Sequence, residues 1–409
     1  MSSPPPLAAT LTSARAASSP TLLFTVSVGV VVLSLFASQA LVSAIGPALG
    51  LTGARSGLIT TLTLLGYAGG LFFLVPLTDI MESRSLIIGT LALDVVALCA
   101  VAATTNVPLS LAAFFISGVA ASAVQMLVPA AAAMTPESQR GQVVGKVMSG
   151  LMLGILLSRP VASITAEIAG WRWFYAGLAI AIAALALVLL RRMPRHPGAG
   201  SVTYSRLIIS MWSLVRDEPV LRRRAVSQGL CMAAFSMFWT TVALRLGQSP
   251  FHLGNVGVAL FALTGAGGAI IAPIAGRAGD RGLTRPATLL AQASMIGALT
   301  LACFAGNVGF RHAGISLFAL GLGGLLLDMG VVGEQTLGRR AINMLRPEAR
   351  GRINGLFTGI FFLGASVGAS LSGIAWQRGG WTAVCAGGAL FATAALALTL
   401  LSQPSSPGQ

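Results

Sequence analysis

The sequence predicts an all-α integral membrane protein in which twelve transmembrane helices form two pseudo-symmetric six-helix bundles. Three observations carry that prediction. Uncharged apolar runs of bilayer-crossing length recur along the chain, one arginine-dense stretch divides them six and six, and residues repeat at a constant offset between the two sets. Only 9% of the 409 residues are charged and the mean hydropathy is +0.84, whereas a soluble chain of this length carries about 25% charge. Glycine and proline fall inside the apolar runs, which spanning helices accept and the strands of an outer-membrane barrel do not favour.

Residues 1–20, MSSPPPLAATLTSARAASSP, are polar and rich in Pro, Ser and Ala, and read as a disordered cytoplasmic tail. FASQA at 36–40 offers small residues for signal-peptide cleavage, but the uncharged run from Leu22 to Leu49 is longer than a signal core, so it reads as a retained helix. At about 20 apolar residues per crossing, spans follow at 22–48, 56–78, 85–103, 109–134, 143–167 and 173–190. The stretch 191–224, RRMPRHPGAGSVTYSRLIISMWSLVRDEPVLRRR, is a basic cytoplasmic linker holding eight of the 26 cationic residues. Six further spans read at 225–246, 253–276, 287–305, 313–336, 351–375 and 382–401. The division is thus a first bundle over 21–190, the linker, a second bundle over 225–402 and a tail over 403–409.

Charge sets the orientation. With both termini cytoplasmic, twenty of the 26 cations fall on the inner face, and Arg55, Arg172, Arg245, Arg311 and Arg378 on the outer. Loops dense in Lys and Arg resist translocation and are drawn to anionic inner-leaflet lipid. The net charge of +15 is therefore a topological signal, with no nucleic-acid partner implied. Cys99, Cys231, Cys303 and Cys385 all fall in apolar runs without metal-ligand spacing, and read as small buried hydrophobes. His196, His252 and His312 lie in loops, and no Gly-rich loop ending in Lys-Ser/Thr occurs, so neither a metal nor ATP is expected. No nucleophile, base or metal constellation falls in the spans, which speaks against an enzyme. A non-transporting sensor should carry a folded soluble domain, which the linker hardly accommodates.

The two blocks are copies. Arg140-Gly141, Gly145, Gly154, Gly170-Trp171 and Gly177 match Arg350-Gly351, Gly355, Gly364, Gly380-Trp381 and Gly387 at an offset of 210, and Pro136-Glu137 matches Pro347-Glu348 after one gap. A second echo sets Gly66 and Asp79 against Gly267 and Asp280. An even number of spans per copy places both halves the same way up, the parallel-repeat arrangement of transporters with a site between halves.

Two six-span halves, a long basic central loop and a charged turn after spans 2 and 8 resemble the major facilitator superfamily over nearly the whole chain. GYAGGLFFLVPLTDIMESRSL at 66–86, VMSGLMLGILLSRP at 147–160 and LLLDMGVVGEQTLGRRAINMLRPEARGRINGLF at 325–357 are similar to its bacterial twelve-span branch of drug and sugar efflux permeases. The resemblance implies a secondary transporter in the bacterial inner (cytoplasmic) membrane that works by alternating access. It would need no cofactor beyond a coupling proton and no obligatory oligomer. Efflux of small amphipathic compounds is the expected task, with uptake or facilitated export of a sugar-like or nucleoside metabolite as the alternative.

The resemblance also marks a cytoplasmic gate: Asp79 and Arg84 in the first half, and Gly276, Asp280, Arg281 and Arg285 in the second. Val75, Thr78 and Ile80 depart from the family pattern there, while Gly276 keeps the close-packing position. Carboxylates and guanidiniums on facing helix ends pair when that side is shut and part when it opens.

Arg159 stands alone inside span 5, in Ser158-Arg159-Pro160. An arginine near a helix centre costs about 2.5–3.5 kcal/mol on insertion scales, so it should face a wet cleft or a carboxylate. Asp94 in span 3 and Asp328 in span 10 are the candidate proton-coupling acids, with Glu334 and Gln335 farther along span 10. Gln125 and Gln335 share the offset of 210 and read as symmetry mates lining the inner part of the cleft. Phe235, Phe238 and Trp239 fall at i, i+3 and i+4 of span 7, one helix face and a candidate apolar wall for the substrate.

Overall fold

Long apolar stretches with scattered glycine give helices, because in a bilayer every backbone N–H and C=O must be bonded within its own segment. The computed structural model describes residues 7–51, 53–195, 203–307, 312–346 and 349–402. The first half comprises α1 (Leu7–Ala48), α2 (Gly57–Asp79), α3 (Ser83–Ala103), α4 (Val107–Ala133), α5 (Arg140–Ile168) and α6 (Trp171–Arg192). A short helix, α7 (Tyr204–Asp217), precedes the second half: α8 (Pro219–Leu246), α9 (Val256–Asp280), α10 (Thr284–Gly306) and α11 (Ala313–Asn343). The last helical run, Arg350–Leu401, leaves helical geometry at Gly379 and Gly380 and so forms two arms, α12 (350–378) and α13 (381–401). Among the described residues twelve membrane-length helices result, six on each side of α7.

Several boundaries differ from the sequence reading. Residues 7–20, expected to be disordered, are helical and continuous with the first span, because LAATLTSARAA is alanine- and leucine-rich and an existing helix extends readily through such residues. α8 starts at Pro219 instead of 225, with proline at its first position, where the missing N–H has no helical partner to lose. The arginine-rich linker is therefore helical over most of its length. The tail 403–409, loop residues 196–202 with His196, Arg311 and the Pro347-Glu348 pair lie outside the described residues.

The duplication seen in the sequence is a duplication of contacts. Gly154 of α5 packs on the backbone of Gly29 in α1, and Gly364 of α12 packs on that of Gly229 in α8. Gly66 of α2 lies against Phe115 of α4, and its echo Gly267 of α9 lies against Leu325 of α11. Small residues let helix backbones approach this closely without a hydrophobic driving force between them. Gly170 and Gly380 take φ of +97° and +59° at the sharp turn before Trp171 and Trp381, a region open to glycine. The halves meet along α1–α8, α2–α12 and α5–α9. Large apolar side chains such as Ile180, Leu290 and Phe318 are exposed on the outside of the helices, as lipid contact requires.

α7 lies at the basic end, where the arginine-rich turns gather. It buries Met211 and Leu214 against Leu221, Ile353 and Phe357, and Leu207 is buried as well. Its Tyr204 hydroxyl donates to the Phe73 carbonyl in the first half (3.0 Å), and Arg352 of the second half donates to its Ser210 (2.8 Å). The helix therefore ties the two halves together at that end.

Candidate functional site

Arg159 sits at the centre of the contact between the halves. Its side chain is buried, with 5% of the residue exposed, and its guanidinium donates to Oε1 of Gln39 in α1 at 2.9 Å. Across the interface the guanidinium carbon lies 4.4 Å from the centre of the Trp239 ring and 5.9 Å from that of Phe235, with Phe36 at 5.8 Å on its own side. A cation stacked on aromatic faces in a desolvated site is held by ring quadrupoles where no carboxylate touches it.

The approach depends on a break in α9. Leu263–Ala266 forms a tighter 3₁₀ turn before the helix resumes at Gly267. A Cβ at Gly265 would stand 3.3 Å from the Trp239 ring and 3.6 Å from an Arg159 terminal nitrogen, so only glycine leaves the stack undisturbed. The break also frees the first N–H groups of the resumed helix. Asp328 of α11 takes one, accepting from Gly268 N at 2.6 Å. Its carboxylate thus sits at a helix N-terminus, where the dipole favours negative charge. Asp328 and Arg159 feel each other's charge without making an ion pair.

Toward the basic end, an aromatic layer closes the cluster. Tyr67 packs edge-on against Phe362 at 4.4 Å, and Phe362 in turn packs against Phe361 and Phe36. Beyond it lies a cavity of about 320 Å³ between the halves, whose polar lining includes Asp79, Gln125, Arg339, Arg352 and Asn354. Gln125 donates to the Tyr67 hydroxyl at 3.2 Å, linking cavity and aromatic layer. At the opposite end the halves are joined by Glu167 of α5, which accepts from Val256 N of α9 (3.2 Å), and by the Ser366 hydroxyl of α12, which donates to the Thr61 carbonyl (3.1 Å).

The structure sorts the sequence candidates. Arg159, Phe235, Trp239 and Asp328 come together. Phe238 shares their helix face but packs into the second half, against Trp381 and beside Gly324. Asp94 is wholly buried between α3 and α4, where the Ser117 hydroxyl donates to it at 2.7 Å, so it joins helices within the first half. Gln125 lines the cavity, whereas its symmetry mate Gln335 is half-buried and absent from that lining. Glu334, six residues beyond Asp328, accepts from Ser227, which accepts in turn from Gln292, all inside the second half.

The gate residues divide likewise. Asp79 faces the cavity between the halves. Arg84 donates instead to the Leu190 carbonyl at the end of α6, and Arg285 to the Leu400 carbonyl at the end of α13 (3.1 Å). Both contacts lie within one half, because a helix C-terminus offers unbonded carbonyls and negative dipole to a guanidinium without any carboxylate. Asp280 pairs with Arg340 at 3.1 Å, again within the second half. Gly276 has open space around it, and the close packing falls at Gly279, where Arg340 would meet an added Cβ. Arg281 caps the end of α9 and is exposed. Of the four cysteines, Cys231 and Cys385 are buried as expected, Cys303 is half-buried and Cys99 is exposed; none is in a disulfide.

Sequence reasoning missed Gln39, the broken turn at Gly265 and the aromatic layer. Gln39 was open to discovery as the amide of an otherwise uncharged first span, since a polar group in that setting is held by a partner.

Comparison with known proteins agrees with this architecture. Residues 23–337 match the model of the Major Facilitator Superfamily. The chain is 34% identical over 370 residues to the uncharacterized transporter YgaY of Escherichia coli O157:H7, covering 90% of this chain and 92% of that one. Among solved structures, the nucleoside transporter NupG superposes with a TM-score of 0.70 at 15% identity over 93% of this chain and 97% of that one. The xylose transporter XylE of E. coli gives 0.69 at 13% identity over 96% and 99%. With its family, its relatives and its paired six-helix halves in agreement, the chain belongs to the major facilitator superfamily and is a multi-pass membrane transporter, not an enzyme.

Proposed function

We propose that the protein is a proton-coupled exporter of small amphipathic compounds, set in the bacterial cytoplasmic membrane with both termini and the arginine-rich turns facing the cytoplasm. The observation that carries this reading is the buried stack of Arg159 on Trp239 across the two halves, with Asp328 within reach of its charge. Such a contact closes the centre in one state and must part for the halves to rock. Parting exposes Arg159 to a solute and changes the charge environment of Asp328, so solute binding and protonation of Asp328 are coupled through one electrostatic site. The aromatic residues around it suit an apolar body, and bonds such as Glu167 to Val256 N are weak enough for each end to open in turn.

The test is transport in proteoliposomes under an imposed pH gradient, with a library of amphipathic compounds. Accumulation that follows the gradient and collapses when it is dissipated supports the reading; gradient-independent equilibration overturns the coupling. A second reading, movement of a sugar-like or nucleoside metabolite, is favoured by the amide and charged side chains around the 320 Å³ cavity. It predicts that a deletion strain loses growth on a carbon source, where the exporter reading predicts drug sensitivity.

A further inference from the structure

Six side-chain nitrogens are buried without a hydrogen-bond acceptor among the described residues, and three of them belong to neighbouring residues of the central cluster: Nε2 of Gln39, Nε of Arg159 and Nε1 of Trp239. The three residues come from α1, α5 and α8, and each is at least nine-tenths buried. The Gln39 carbonyl oxygen is already used by Arg159. What remains is a cation and N–H donors from both halves with no acceptor opposite them. Unmet donors in a desolvated site are costly, and three on neighbouring residues around one cation mark a place that a ligand with spare lone pairs can satisfy.

From this geometry we infer that the transported compounds are organic monoanions bearing a carboxylate, bound through Gln39, Arg159 and Trp239 with their apolar part against Phe36, Phe235 and Phe362. A carboxylate has two coplanar oxygens with lone pairs to spare, and a guanidinium edge accepts it in a two-pronged arrangement. With Asp328 protonated, the bound carboxylate's single charge matches the single cation of the cluster, whereas a dianionic phosphate would leave a charge unbalanced. An amine fails for the opposite reason, since it brings more donors to a site that already has them in excess. The side chains that recognise the anion belong to both halves, so its binding draws the halves together around it. This inference rests on the exporter reading, but it concerns which chemistry the site selects.

The test uses the purified full chain with benzoate and octanoate as probes, set against benzamide, octanamide and octylamine. Binding is measured by calorimetry, and flux by counterflow in proteoliposomes. The carboxylates are expected to bind at least ~10-fold more tightly than their amides. Trp239→Phe keeps the aromatic wall and removes one donor, and is expected to weaken carboxylate binding roughly 5-fold while leaving the weak amide binding unchanged. Gln39→Met should act in the same direction, with folding checked by size-exclusion profile. Amides or octylamine binding as well as the carboxylates, carboxylates failing to bind, or both variants leaving carboxylate affinity unchanged would each overturn the inference. Carboxylate-selective binding without counterflow would sustain the anion site and remove the exporter reading. Counterflow of neutral or cationic compounds alone would do the reverse.

Discussion

The two halves are built alike and equipped differently. Gly154 and Gly364 seat the fifth helix of each half on its first, Gly66 and Gly267 seat the second on the fourth, and Gly170 and Gly380 make the same turn before the same tryptophan. At the centre the likeness ends. The first half contributes a guanidinium and an amide, and the second contributes the aromatic face, the broken helix and the carboxylate. The residue at the position of Arg159 in the second copy is Ala369, which is wholly buried and whose backbone carbonyl faces Gly57 of α2. Packing is a property each half needs in order to fold, so duplication preserves it. A binding site between halves needs complementary surfaces, and two identical surfaces would set cation against cation.

The largest expected effect breaks that asymmetry at its source. Arg159→Ala removes the cation from a desolvated site whose other members are arranged around it. Losing a hydrogen bond to a charged group costs about 1.5–3 kcal/mol, so transport should fall by roughly 10- to 100-fold, with insertion and expression retained. Unimpaired flux would take Arg159 out of the mechanism. Asp328→Asn, in the other half, keeps the shape and the acceptor for Gly268 N but cannot exchange a proton. It should abolish accumulation driven by a pH gradient while leaving solute exchange within about tenfold of the original rate. If both variants lose exchange equally, the division of labour between the halves is wrong.

Packing should respond evenly. Gly154→Val and Gly364→Val each force a side chain into the backbone of a neighbouring helix, and overpacking of this kind costs about 1–3 kcal/mol. Both should lower the apparent melting temperature of the purified protein by similar amounts. A strong effect in one half and none in the other would show that the contacts are alike in form only.

Much of this comparison was legible in the sequence. Span count, the six-and-six division and the lone Arg159 follow from lengths and charges, which a bilayer constrains tightly. Asp94 and Asp328 could not be told apart, because each is a single acid in an apolar run, and the face a helix turns inward is decided by packing. The broken turn at 263–266 has no proline to announce it. Gln39 carries no charge and stands in a span without visible periodicity, so its role depended on Arg159 arriving from 120 residues away. The partners of Arg84 and Arg285 were hidden for a related reason: the sequence displays charged groups but not the backbone carbonyls that compete for them.

That competition yields the smallest effect and the finest test of the likeness between halves. Arg84 and Arg285 stand 201 positions apart, as do Asp79 and Asp280, and each bonds a carbonyl in the last turn of its half's sixth helix. A cation at an exposed helix C-terminus contributes about 0.3–1 kcal/mol, and salt screens it. Arg84→Ala and Arg285→Ala should therefore each lower the unfolding temperature slightly, by similar amounts and less at high ionic strength, with transport little changed. A gating role predicts another pattern, because a group that latches one state shifts the balance between inward- and outward-open forms. Cysteine accessibility at the two ends of the central cleft separates these outcomes: unchanged labelling in both variants assigns the arginines to helix capping, and a shift toward one open state in either returns that residue to the gate.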